Sequence, residues 1–280
     1  MSNRMNVNPL GHEVNRLLVK CGTDVLVGAS GRLDQNIFND IARQCVESRM
    51  SVTIVSSGAI KAGEESILGV EPDPLLPAFF SHKEYAAVGA RHLLQKWGDA
   101  FASAPYRREI AQIWVTFTNI YQVRECTTAL DANERDNIGH AIRLCHRQGV
   151  VPIVNENDVV SGSWLGMGND SIAASIAGLT HPDAVLFLTR VGGVYEEDPV
   201  QNPRACRYYE LDTDAARVVA AAPSSRRSYD AHHGNGGMGE KLFQAVRCVE
   251  MGMRVGIAGA GDNNIKRFAA GESVGTMVCL

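Results

Sequence analysis

Five short clusters in this 280-residue chain carry side chains suited to handling charge or phosphate. Lys20 ends the apolar run Arg16 to Cys21 and is followed by Cys21-Gly22-Thr23. Ser56-Ser57-Gly58 ends the run Ser51 to Ser56, and Asn155-Glu156-Asn157-Asp158 follows Val150 to Val154. Thr189 ends the apolar run Ala184 to Thr189. The fifth cluster, Gly234-Asn235-Gly236-Gly237-Met238-Gly239-Glu240-Lys241, places a lysine in the opening of a helix. Glycine-rich turns leave backbone N–H groups free, and a helix N-terminus adds positive potential, so such segments suit phosphate. The last cluster is not a Walker A loop, because the Gly-Lys-Ser/Thr ending is missing, and no G-x-G-x-x-G follows the first strand. Taken singly, each has a plain structural reading. A strand-end lysine commonly snorkels to the surface, Ser-Ser-Gly and Asn-Asp runs are turn formers, and Asn169-Asp170 suits a helix cap. Their joint placement at strand ends is what points to a ligand site.

The elements that must position these residues follow from hydrophobic periodicity. Strands are predicted over Arg16 to Cys21, Ser51 to Ser56, Ile110 to Thr116, Val150 to Val154, Ala184 to Thr189, Val255 to Ala258 and Gly275 to Val278. Helices are predicted from an Asp34 cap, from Ala59, over Lys83 to Ser103, Thr127 to Gln148 and Asp170 to Leu179, and after the glycine cluster. In that last helix Leu242, Ala245, Val246 and Val249 share one side. Glu71 to Phe80 is Pro-rich and predicted to be a loop. Strands alternating with helices give a mostly parallel sheet covered on both faces, and in such sheets ligands gather at the carboxyl ends of the strands.

Bulk properties narrow the function. Hydrophobic residues make up 45% of the chain and charged residues 21%, the balance of a soluble globular protein. A net charge of −4 gives no reason to expect a nucleic-acid partner. No apolar stretch is long enough to span a bilayer, and residues 1–14 read as a disordered leader without signal-peptide order. Seven scattered cysteines without a C-x-x-C pair fit reduced thiols in the cytoplasm. His232-His233 lacks the spacing and carboxylate backing of a metal site, so no protein metal ligands are expected.

In their order along the chain these motifs resemble the glutamate 5-kinase branch of the amino acid kinase family. The carriers are Lys20-Cys21-Gly22-Thr23, Val55-Ser56-Ser57-Gly58-Ala59-Ile60 with Ala62-Gly63, and Ala86-Ala87-Val88-Gly89. Val151 to Asp158, Gly168-Asn169-Asp170, Gly193-Val194-Tyr195 with Asp198-Pro199, Gly236-Gly237-Met238 with Lys241, and Val274-Gly275-Thr276 complete the series. The resemblance runs from about Leu17 to Val278. It implies a three-layer α/β/α sandwich in one kinase domain over 15–280, with no C-terminal PUA domain, an acceptor site in the N-terminal half and an ATP site in the C-terminal half. It implies ATP and Mg²⁺, phosphorylation of the glutamate γ-carboxylate as the first step of proline synthesis, a homo-oligomer (dimer or tetramer), and a glutamyl phosphate reductase as partner.

By matching position, Lys20 and Lys241 would stabilise the transferring phosphoryl group and Asp170 would orient them. Ser57, Gly58, Asn155, Asp158 and Asn169 would hold glutamate. Lys20, Gly22, Thr189, Arg190, Asn235, Gly236, Gly237, Met238 and Lys241 would hold the nucleotide. The chain departs from the family pattern at Arg190, where Asp is usual, and at Gly168, where Asp usually precedes Asn-Asp. Two other readings stay open at this stage: an enzyme of the same fold with another carboxylate or phosphate acceptor, and a non-catalytic regulator that binds nucleotide or amino acid.

Overall fold

Arg16–Cys21 (β1) lies near the middle of an eight-stranded sheet, because a strand buried on both faces needs an apolar partner on either side. The computed structural model describes residues 15–67, 81–120, 129–160, 168–222 and 237–280. The other strands are Ser51–Ser56 (β2), Ile110–Val115 (β3), Val151–Glu156 (β4), Ala184–Leu188 (β5), Glu210–Asp212 (β6), Arg254–Ala258 (β7) and Thr276–Cys279 (β8). Their order is β3-β4-β2-β1-β5-β7-β8-β6, and every neighbouring pair is parallel except β7–β8. From β1 the sheet grows through β2 on one side and β5 on the other. The ends of these central strands therefore form the switch point where α/β sheets bind ligands.

Side-chain alternation along β1 assigns the two faces. Leu17, Val19 and Cys21 enter one core, built with Gln35–Glu47 (α2) and His82–Ser103 (α4), to which Phe38, Ile41, Trp97 and Phe101 contribute. Leu18 enters the other core, with Ala129–Arg147 (α6), Asn169–Thr180 (α7) and Met238–Glu250 (α9). Helices thus cover both faces, and the architecture is the expected three-layer α/β/α sandwich.

Local chemistry explains the boundaries. Asp34 caps α2, its side chain accepting from the Asn36 N–H at 2.9 Å. Ser81 and Glu84 form a capping box at the start of α4. Ala59–Ile67 (α3) packs directly on α4 through glycines. A Cβ on Gly63 would sit 1.8 Å from the Tyr85 carbonyl oxygen, and one on Gly89 would sit 1.8 Å from the Ala59 carbonyl oxygen. Only glycine permits that backbone-to-backbone approach, which accounts for both motifs by packing.

Some elements differ from expectation. β4 continues through Asn155 and Glu156, so these residues stand on the strand and not in the turn after it. β5 stops at Leu188, although the Thr189 N–H still donates to the Ala258 carbonyl at 2.9 Å. Periodicity did not indicate β6, Thr213–Ala221 (α8), or the short helices Thr23–Leu26 (α1), Phe117–Ile120 (α5) and Asn264–Ala269 (α10). These are too brief, or too mixed in polarity, to carry a repeating pattern. The predicted loop Glu71 to Phe80, the leader, His232-His233 and Gly234 to Gly236 lie outside the described residues. Among the described residues no helix is long and apolar enough to cross a membrane.

Candidate active site

Lys20 follows Leu18 on the face of β1 that meets α7 and α9. Helix α7 brings Asp170 in its first turn, and α9 brings Lys241 in its first turn. The three side chains meet although 221 positions separate the two lysines. Lys20 Nζ and Lys241 Nζ each lie 2.9 Å from the same oxygen, Asp170 Oδ1. Lys241 Nζ also sits 5.9 Å from the Phe187 ring centroid, a weak further attraction. All three side chains are buried, at most 10% exposed.

The electrostatics of this centre follow from the count of charges. Burial alone pushes the Asp170 carboxyl up, but the two ammonium groups outweigh it and hold the group at about 2. Burial pushes Lys20 down, and Asp170 more than reverses this, so Lys20 ends above its ordinary value. Lys241 faces the same burial and is further opposed by Lys20, and it ends below its ordinary value. One carboxylate between two ammonium groups leaves an excess positive charge beside the cleft. Lys241 also sits at the positive end of its own helix, where a cation is disfavoured by roughly 0.3–1 kcal/mol. Asp170, 2.9 Å away, is the counter-ion that offsets this cost.

Both helix starts add to the pull on an anion. Gly168 caps α7 and Gly237 caps α9, and neither cap residue offers a side-chain hydrogen bond to the first N–H groups. The cap expected at Asn169-Asp170 is therefore one residue earlier, at Gly168, and both residues lie inside the helix. Gly168 has no side chain and so supplies no capping oxygen to α7.

On the β4–β2 side, the Asn155 amide donates to the Ser56 carbonyl at 2.7 Å, and Trp97 Nε1 donates to Ser56 Oγ at 2.9 Å. The Ser57 N–H donates to the Cys21 carbonyl, tying this turn to the end of β1. Gly58 follows with φ +110°, a conformation side chains resist. Asn155 Oδ1 and Asn169 Oδ1 are buried and, among the described residues, have no hydrogen-bond partner. Orphaned buried acceptors are costly, and a ligand bringing N–H or O–H donors would satisfy them. A cavity of about 200 Å³ opens here between Ala59, Ala86 and Ala90 on one side and Trp114, Asn155 and Asp158 on the other. Burial and the neighbouring Glu156 carboxylate push Asp158 up to about 6.

On the β5–β7 side, Thr189 is buried and Arg190 exposed. The Thr276 hydroxyl accepts from the Val194 N–H at 2.9 Å and donates to the Tyr208 carbonyl. That staple holds the segment after β5 and gives the closing Gly275-Thr276 motif a structural job not evident from sequence. Met238 is core: its side chain is buried against the helix layer, leaving only its backbone N–H at the start of α9. Asn235 and Gly236 lie outside the described residues. Cys21, beside Lys20 in sequence, faces the opposite core, and burial pushes its thiol up to about 12. It offers no thiolate.

Comparison with known proteins identifies the family and the fold. The Amino acid kinase family profile matches residues 15–259. A glutamate 5-kinase of Citrifermentans bemidjiense is 31% identical over 95% of this chain and 68% of its own length. One of Proteus mirabilis is 35% identical over 93% and 68%. Among solved structures, an isopentenyl phosphate kinase in complex with substrate aligns over 94% of this chain and 99% of its own, with TM-score 0.60 and 17% identity. A UMP kinase of Bacillus anthracis aligns over 96% and 97%, with TM-score 0.59 and 17% identity. These two likenesses concern the fold alone. With the profile covering most of the chain and relatives above 30% identity, the chain belongs to the amino acid kinase family.

Proposed function

We propose that this protein transfers the γ-phosphoryl group of ATP to the γ-carboxylate of glutamate, giving glutamyl 5-phosphate and ADP, the first step of proline synthesis. The observation that carries the reading is the sharing of Asp170 Oδ1 by Lys20 and Lys241, in a chain whose curated relatives are named glutamate 5-kinase. A carboxylate oxygen attacks the γ-phosphorus, the bond from that phosphorus to the bridging oxygen breaks, and ADP leaves with the electron pair. The attacking carboxylate is already ionised, so no general base is needed. The barrier is the approach of two anions, and catalysis comes from positioning and positive charge.

Lys20 and Lys241 supply that charge, and Asp170 keeps both ammonium groups aimed at one point. The N–H groups opening α7 and α9 would add to the pull of that charge, since Asp170 and Lys241 stand in those first turns. Glutamate would sit in the cavity beside Asn155 and Asp158, its ammonium meeting the two carboxylates and the orphaned amide oxygen, with Ser57, Gly58 and Asn169 completing the pocket. The nucleotide would lie toward Gly22, Thr189, Arg190 and the start of α9. Among the described residues no three acidic, His or Cys side chains are grouped as a metal cage, and Asp170 is committed to two lysines. Mg²⁺ would therefore ride on the nucleotide's phosphates, reducing the charge the acceptor must approach. Relatives of this kind lead us to propose a cytoplasmic homo-oligomer that hands its labile acyl phosphate to a reductase.

The test is ATP-dependent formation of γ-glutamyl hydroxamate, since hydroxylamine traps an acyl phosphate and so reports both acceptor and bond. Glutamate should be the best acceptor in a panel including aspartate, N-acylated amino acids and small phosphates. ADP release on another acceptor alone would reassign the substrate, and ATP binding without any turnover would leave a regulator.

A further inference from the structure

Asp24 is a carboxylate at the phosphoryl-transfer centre that none of the roles above uses. It lies on α1, two residues beyond Gly22, and is exposed. Its side chain folds back over the Gly22 backbone: a Cβ on Gly22 would lie 2.4 Å from Asp24 Oδ1 and 3.3 Å from Lys20 Nζ. The distance from Asp24 Oδ1 to Lys20 Nζ is thus no greater than the sum of those two. Its charge is felt by both Lys20 and Lys241. Among the described residues no side chain or backbone N–H donates a hydrogen bond to the Asp24 carboxylate.

The charge count makes this placement informative. Lys20, Lys241 and Asp170 together carry one excess positive charge, and Asp24 cancels it. Lys20 and Lys241 are both already hydrogen-bonded to Asp170, so an exposed carboxylate beside them repels the incoming phosphates and the acceptor alike unless a further cation stands between them. No proton needs removal from a carboxylate acceptor, so a general base would have no task. We propose that Asp24 is the protein's carboxylate contact to the divalent cation carried by the nucleotide, made directly or through one of the ion's waters. A hard cation that keeps most of its water and takes one or two protein carboxylates besides phosphate suits such a lone, exposed oxygen donor. This inference rests on the nucleotide-binding reading above.

The experiment compares the full chain with Asp24→Asn and Asp24→Ser, using Mn²⁺ as the probe ion and a non-hydrolysable ATP analogue. Manganese affinity in the ternary complex is read by electron paramagnetic resonance, and analogue affinity is measured with and without metal by calorimetry. Both variants should weaken Mn²⁺ binding in the ternary complex about tenfold or more. With chelator present they should bind the analogue at least as tightly as the unmodified protein, because a repulsive charge has gone. A role confined to holding the loop in shape would not produce that opposite pair of shifts. Unchanged manganese affinity in both variants overturns the assignment while leaving the kinase reading intact. Failure of the unmodified protein to bind the analogue at all overturns the kinase reading, and this inference with it.

Discussion

Two aspartates at the rim of one sheet are driven in opposite directions. Asp170, wholly buried, is held at about 2 because two ammonium groups share one of its oxygens. Asp158, less buried, is pushed up to about 6 because burial and Glu156 both oppose its charge, and among the described residues no cation offsets them. Depth of burial does not decide the outcome; the neighbouring charge does. At the lysine centre the protein has built its own counter-ions: Asp170 is shared by both ammonium groups, and among the described residues the exposed Asp24 alone offsets the positive charge that remains. In the cavity the Asp158 charge is opposed both by burial and by the neighbouring Glu156. On the function proposed above, one region would meet an arriving anion and the other an arriving cation, as suits an acceptor with an ammonium at one end and a carboxylate at the other.

The sharpest way to break the contrast is to neutralise Asp170. Asp170→Asn leaves two buried ammonium groups facing each other, and removing one partner of a buried ion network costs about 3–5 kcal/mol. The folded-state value lies below the ordinary 3.8, so Asp170 stabilises the fold above about pH 4, and the benefit fades as pH falls toward 2. Denaturation of the variant should show its full deficit at neutral pH and a shrinking one in acid. A variant as stable as the parent at pH 7 would mean that the shared oxygen does not hold the lysines.

Next in size are the lysines themselves. Lys20→Ala and Lys241→Ala should each reduce kcat roughly a hundred- to a thousand-fold, about 3–4 kcal/mol of transition-state stabilisation. The fold should persist, since each change also relieves one ammonium of its neighbour. Near-normal turnover with circular dichroism unchanged would remove the lysine centre from the chemistry.

How much of this was legible beforehand varies by residue. Lys20 stood out because an apolar strand ended on a cation, and the alternation of β1 fixed its face. That Lys241 and Asp170 join it came from the family resemblance, since no local spacing links residues 20, 170 and 241. The shared oxygen and the opposite behaviour of Asp158 were invisible, because both depend on which charges the fold brings near. Asn155 read as a turn residue, for Asn favours turns, yet β4 runs through it and its pairing with Trp114 keeps it in the sheet. β6 was missed because three residues, Glu210–Asp212, show no repeat. Asp24, one residue past the Gly22-Thr23 turn, carries no signal of its own in the sequence. Its meaning lies in the two lysines whose field it enters.

The smallest effect tests the other aspartate. If Asp158 holds the acceptor's ammonium as a carboxylate, protonating it removes that contact. The KM for glutamate should then rise up to about tenfold for each pH unit below 6, while kcat changes less. Stability should move the other way. Because the folded-state value lies above the ordinary 3.8, the folded chain binds more protons than the unfolded chain between about pH 4 and 6, so this group's contribution to stability falls as pH rises through that window. Asp158→Asn should flatten both profiles, raising KM at neutral pH yet relieving the cost of the buried charge. Steady-state kinetics and thermal denaturation from pH 5 to 8 separate the two signs. A KM that stays level across that range in the unmodified protein would show that the acceptor does not rely on this carboxylate, and the cavity would lose its half of the contrast with the lysine centre.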